Sequence, residues 1–128
     1  LSPSASTGAA STMEEAGIVY AFAVRDGHAA PFRPAAGAGT ADYVWVHVNL
    51  STEPGRQWML RHSGLAPQLA STLIDRDEEP GSKVLGSGCL IVLEDRLREF
   101  DSDAQELSDL HLWLEPGRLI TARWRPLA

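Results

Sequence analysis

Residues 110–124 read LHLWLEPGRLITARW, and this stretch decides the fold. Two alternating runs meet at Pro116-Gly117. Leu110, Leu112 and Leu114 share one face of the first run. Ile120, Ala122 and Trp124 share one face of the second. A period of two is that of a β-strand, whose successive side chains point to opposite sides. Proline fixes its own φ and glycine accepts a positive one, so Pro-Gly predicts a type II turn between two antiparallel strands. That turn matches strand twist poorly, so a local bulge or splay is expected beside it.

Working upstream, "CLIVLE" (89–94) is apolar on both faces and is expected to be central in a sheet. "SKVLGSG" (82–88) reads as a further strand running into a Gly-Ser turn. Residues 94–109, EDRLREFDSDAQELSD, are dense in carboxylates and read as a solvated loop. "YVWVHVNL" (43–50) alternates cleanly, with Val44, Val46, Val48 and Leu50 on one side and Tyr43, Trp45, His47 and Asn49 on the other. Nearer the start, "GIVYAFAV" (17–24) is a β-prone apolar run, and Asp26-Gly27 is a strong hairpin turn signal. The return arm "HAAPF" contains Pro31, which has no N–H for a ladder, so it is expected at a sheet edge. "RPAAGAGTA" (33–41) reads as a loop.

Between strand 43–50 and the later strands lie two short helical patterns. The first has Ser51 or Thr52 as N-cap and Pro54 in its first turn, carries Trp58 and ends at Gly64. The second starts near Pro67, with Ala66, Leu69, Ala70, Leu73 and Ile74 forming one apolar stripe at helical spacing. The order of strands, helices and strands predicts an α+β or α/β fold. Its sheet is mixed, parallel and antiparallel, of about six or seven strands, with helices packed on its faces. A right-handed crossover through the helical pair is expected to join strand 43–50 to a later strand. Residues 1–15, rich in Ser, Ala, Thr and Gly, are expected to be a flexible segment, and 16–128 a single domain.

Composition narrows the function. Eleven basic residues face 17 acidic ones, for a net charge of −6. Nucleic-acid binding needs cations to displace counterions from phosphates, so no nucleic-acid partner is expected, nor docking on an anionic membrane surface. A single cysteine, Cys89, excludes an internal disulfide. Within "CLIVL" it is expected to be buried and unreactive, which suits a reducing compartment. No stretch approaches the roughly 20 apolar residues of a membrane span, and the first residues lack a secretory pattern. A soluble chain is expected.

The candidate chemistry is sparse. The histidines, His28, His47, His62 and His111, have no zinc-ligand spacing. His47 and His111 each lie two residues from a tryptophan, and adjacent strands could bring them together with Trp45 and Trp113 as a binding surface. Ordinary half-buried histidines are the simpler reading. Two acidic stretches supply candidate ligands for a weakly held divalent cation, Zn²⁺, Mg²⁺ or Ca²⁺. They are Asp75, Asp77 and Glu78 in "DRDEE", and Asp101, Asp103 and Glu106 in "DSDAQE". The second lacks the glycine and full ligand series of an EF-hand, and solvated acidic loops are the simpler reading of both. The first follows a helix C-terminus, where the macrodipole disfavours negative charge and a neutralising arginine or cation is wanted. There is no G-x-S-x-G elbow, and the "GAG" at 37–39 lacks a phosphate cradle's strand and helix. No catalytic residue and no organic cofactor site is assigned.

These motifs in order carry a resemblance: "YVWVHVNLS", a tryptophan-bearing helix, "SGLAPQLASTLI", an acidic stretch ending at Pro80, "GSGCLIVL", and "LHLWLEPGRLITAR". Over about residues 17–127 the chain resembles the N-terminal cytoplasmic domain of CorA-type divalent cation transporters, most closely the zinc-transporting ZntB branch. The W-x-H start (Trp45, His47, Ser51) and the W-x-E-P-G-R-L-I-T hairpin are the most specific elements. Gly81 and Ser82 follow Pro80 where the family often has arginines.

The resemblance implies a non-catalytic domain at the cytoplasmic face of the inner membrane. It implies a homopentamer in the full-length protein, divalent metal ions as partners, and membrane contact only through a missing C-terminal region. It maps no metal ligand onto this chain. It leads us to expect a fragment cut before the long helices and the Gly-Met-Asn pore, unable to conduct ions alone and with apolar sheet surface left uncovered. A standalone small-molecule or protein-binding module is the alternative, and a small hydrolase or transferase a weaker one.

Overall fold

The computed structural model describes residues 17–33, 41–96 and 107–124. In chain order the elements are strands β1 (Ile18–Arg25), β2 (His28–Pro31) and β3 (Tyr43–Asn49). Helix α1 (Glu53–Gln57), a π-helical segment (Trp58–His62) and helix α2 (Pro67–Leu73) come next. Strands β4 (Gly81–Leu85), β5 (Gly88–Arg96), β6 (Leu107–Glu115) and β7 (Arg118–Arg123) complete the order. The strands form one seven-stranded sheet in the order β2-β1-β3-β7-β6-β5-β4. Among the described residues only β3 and β7 pair in parallel.

The hairpin at the end of the chain forms as its alternation requires, with Glu115 opposite Arg118 across Pro116-Gly117 and Gly117 at φ +80°. No bulge or splay develops there; the β6–β7 register is continuous. A side-chain clamp accounts for the regularity. One Glu115 carboxylate oxygen accepts from Arg118 Nε at 2.9 Å and Nη2 at 2.6 Å, and from Trp113 Nε1 at 2.9 Å. Arg118 also donates to the Ser63 carbonyl, tying the turn to the helical segment. The E-P-G-R part of the motif is thus a structural clamp. The irregularity falls in β1 instead, where the register shifts between Ile18 and Tyr20 and Val19 is left 49% exposed.

Sheet parity sorts the core. Val46 and Val48 on β3 stand opposite Ile120 and Ala122 on β7, which stand opposite Trp113 and His111 on β6, and these in turn oppose Leu90 and Val92 on β5. Both helices pack on this face, where Leu50, Met59 and Leu73 are fully buried against it. Burial of each such side chain stabilises the fold by roughly 1.5–3 kcal/mol. The helix starts as its cap predicts: Thr52 Oγ1 accepts from Gly55 N at 3.2 Å and donates to the Asn49 carbonyl at 3.1 Å. Gly64, at φ +77°, turns the chain after the π-helical segment.

Two topological expectations are corrected. "CLIVLE" lies in β5, next to the β4 edge, and the centre of the sheet is β7. It is apolar on both sides because Leu90 and Val92 meet the helices while Cys89, Ile91 and Leu93 form part of a second apolar face. Cys89 is accordingly half-buried, not buried. The helical pair also does not connect β3 to its parallel neighbour. It leads to β4 at the far edge, and the chain reaches β7 only after the β4–β6 meander. Residues 94–96 and 107–109, expected in a loop, extend the β5–β6 ladder, since main-chain pairing continues where side chains turn polar. Pro31 lies in the edge strand β2, as its missing N–H requires. The segments 1–16, 34–40 and 97–106 lie outside the described residues.

Candidate functional site

The face opposite the helices carries the most distinctive chemistry. Alternation along β3 puts Trp45 and His47 there, and pairing brings Tyr20 of β1 beside His47 and Thr121 of β7 beside it on the other flank. Trp45 Nε1 donates to Thr121 Oγ1 at 2.8 Å, and His47 Nδ1 lies 2.7 Å from the same oxygen. Thr121 Oγ1 thus bridges the two rings, accepting from Trp45 and sharing a hydrogen bond with His47 Nδ1. Tyr20 stacks on His47 with centroids 5.0 Å apart and planes 19° from parallel, and it meets Trp45 edge-on at 4.9 Å.

The electrostatics follow from this enclosure. His47 is only 3% exposed. Burial, and secondarily the Arg123 cation, lower its pKa to about 4. The ring is therefore neutral at pH 7, and it is poorly matched to proton transfer there. Burial raises the Tyr20 pKa, with Arg123 opposing. Beyond this polar centre the face is apolar, with Leu93 50% and Leu114 43% exposed.

His111 does not join His47. It opposes Ala122, whereas His47 opposes Thr121, and a one-residue offset in a strand reverses the side chain's face. His111 is wholly buried under the helices, its Nδ1–H donating to the Leu73 carbonyl at 2.8 Å, while its Nε2 is enclosed without a partner. Trp113 accompanies His111, and Trp45 accompanies His47. The surface expected from Trp45, His47, Trp113 and His111 together is therefore split between two faces.

Of the candidate metal ligands, Asp75, Asp77 and Glu78 lie together after α2. Asp75 Oδ1 accepts from Asp77 N at 2.9 Å, and Glu78 pairs with Lys83 at 3.1 Å. Asp77, Glu78 and Glu79 line a cleft of about 390 Å³ with Ser82, Lys83 and Val92. Among the described residues no three His, Cys, Asp or Glu side chains converge as a metal centre requires. Asp101, Asp103 and Glu106 lie outside the described residues. Sequence reasoning missed Tyr20, Thr121 and Arg123 as partners of His47. Their parity in each run was readable, but the parallel register that joins β3 to β7 was not.

Among the described residues no helix is long and apolar enough to cross a membrane. The family model of the CorA-like Mg2+ transporter protein matches residues 40–128. Comparison with curated protein sequences returns no match. Among solved structures, full-length CmaX superposes with a TM-score of 0.73 at 19% identity, covering 88% of this chain and 36% of that one. The ZntB cytoplasmic domain from Vibrio parahaemolyticus RIMD 2210633 superposes at 0.65 and 15% identity, covering 86% and 45%. The CorA magnesium transporter from Methanocaldococcus jannaschii gives 0.65 and 13%, covering 84% and 32%. The chain thus shares their fold and spans less than half the length of each.

Proposed function

The chain belongs to the CorA-like Mg2+ transporter family, and from that membership we propose that it is the cytoplasmic, non-catalytic domain of a divalent-cation transporter of the CorA/ZntB kind. One observation carries the reading beyond family membership. Among the described residues helices roof one side of the sheet, and its other side exposes Leu93 and Leu114 beside an ordered aromatic centre. Such a surface is suited to being covered by further parts of a longer protein. The superposed structures, of which the matched part is less than half in each, are in keeping with this.

In this reading the domain sits at the cytoplasmic face of the inner membrane in a homopentamer and shapes the vestibule below the pore. Its charge of −6 concentrates cations there, because a carboxylate-lined cavity raises the local concentration of counterions. Asp75, Asp77 and Glu78 are the described residues suited to that role, and the domain couples cytoplasmic conditions to the pore. We place the protein on the ZntB side, with zinc as cargo and magnesium as the alternative, from the motifs and not from the fold.

Two measurements test this. Liposomes bearing the product of the whole gene are expected to take up Zn²⁺ or Mg²⁺; flux of neither overturns the reading. The present chain, titrated calorimetrically with either ion, is expected to bind weakly and less so at high salt, because exposed charges are screened. Tight stoichiometric binding would contradict the vestibule role. The separation of His47 from His111 weakens the binding-module alternative, whose surface needed both.

A further inference from the structure

Trp124, on the helix-covered side of β7, carries two arginines. The Arg56 guanidinium lies 5.3 Å from the indole centroid and that of Arg76 lies 5.0 Å from it. Arg56 comes from α1 and is anchored by Nη1 donating to the Leu50 carbonyl at 2.8 Å; Arg76 follows α2. Neither is in an ion pair among the described residues, where Lys83 and Arg118 hold the carboxylates of Glu78 and Glu115. Of the two acids beside Arg76 in the chain, Asp75 accepts from the Asp77 amide at 2.9 Å, and neither forms an ion pair with Arg76 among the described residues.

Two cations held on one ring repel each other, and among the described residues neither has a carboxylate partner although the chain carries six surplus negative charges. Cation–π contact compensates in part. It also fixes each guanidinium; Arg56 spends Nη1 on the Leu50 carbonyl, and the edge N–H groups that remain match the oxygens of an oxyanion. The indole wall keeps water from one side and strengthens the attraction. We propose that Arg56 and Arg76, held on Trp124, form a binding site for a phosphate group, taken either from a soluble phosphate or from a phosphomonoester lipid headgroup.

The test uses the present chain labelled with ¹⁵N, with the Trp124 indole resonance assigned by Trp124→Phe. Inorganic phosphate, at ionic strength held constant with chloride, is expected to move that resonance saturably. Arg76→Gln changes an exposed side chain and leaves the core untouched. It and Arg56→Gln are each expected to weaken the response about tenfold, the effect of losing one charge-assisted contact. Co-sedimentation with phosphatidylcholine vesicles, with and without phosphatidic acid, distinguishes the source. An arginine-dependent response to phosphate assigns a soluble ligand, and one to phosphatidic acid alone assigns the lipid headgroup; either supports the site. No response to either probe, or one that Arg76→Gln or Arg56→Gln leaves unchanged, overturns it.

Discussion

His47 and Thr121 are 74 residues apart and meet at 2.7 Å across the parallel strands β3 and β7. The contact places a neutral imidazole and a hydroxyl on the face away from the helices, with Tyr20 and Arg123 beside them. Trp45 donates to the same hydroxyl, so one threonine satisfies two ring nitrogens.

Replacing that hydroxyl by a methyl group isolates its role. Thr121→Val keeps the shape and strands Trp45 Nε1 and His47 Nδ1 without a partner. Unpaired buried polar groups cost about 1–3 kcal/mol each. Chemical denaturation is expected to show a loss of about 2–6 kcal/mol for the two groups together, with Thr121→Ser close to the parent. Equal stability of Thr121→Val and the parent would refute the network's contribution.

The pH dependence of stability has a defined sign. The pKa of His47 falls from 6.5 when exposed to about 4 in the folded protein. The unfolded chain therefore binds more protons between those values, and stability falls as pH drops through that window. The contribution is fully present above about pH 6.5 and gone below about pH 4. One group limits the slope to about 1.4 kcal/mol per pH unit. Urea midpoints between pH 7 and 5 are expected to decline, and His47→Gln to flatten the decline; a slope identical in the variant would count against the assignment.

Backbone packing at the first helix admits no side chain. A Cβ on Gly55 would lie 1.9 Å from the Asn49 carbonyl oxygen, an atom that cannot move without opening the end of β3. Gly55→Ala is expected to destabilise by about 1–3 kcal/mol, the range for overpacking. Thermal unfolding measures it, and an unchanged midpoint would show that the helix start shifts freely.

The exposed leucines on the face away from the helices predict self-association. Leu93 and Leu114 stand on β5 and β6, half exposed. Sedimentation velocity of the present chain is expected to show concentration-dependent association, reduced in a Leu93→Lys, Leu114→Lys double variant. A monomer at all concentrations would mean that this face is not adhesive.

Much of the fold was legible because the relevant physics is local. The alternation of 43–50, the Asp26-Gly27 and Pro116-Gly117 turns, the Thr52 cap and the Pro31 edge each depend on a few consecutive residues. The place of "CLIVLE" was not legible. A strand apolar on both sides reads the same whether two helical layers cover it or one side lies open. The expected bulge at Pro-Gly was overruled by Glu115 and Arg118, whose clamp also needs the Ser63 carbonyl, 55 residues away in the chain. Of the candidate site, the parity of Trp45 and His47 could be read, and the company they keep could not.

By itself the sequence determined where the strands, turns and helices lie, the ends of β5 and β6 excepted, and which side of each strand is apolar, since these follow from side-chain period and backbone stereochemistry. Tertiary structure alone decided that β3 lies parallel to β7. That register, with the one-residue offset across β6, sets His47 and His111 on opposite faces. Pairing between distant strands is a choice among many registers with similar hydrogen bonding, and only the packing of the whole sheet against its helices separates them.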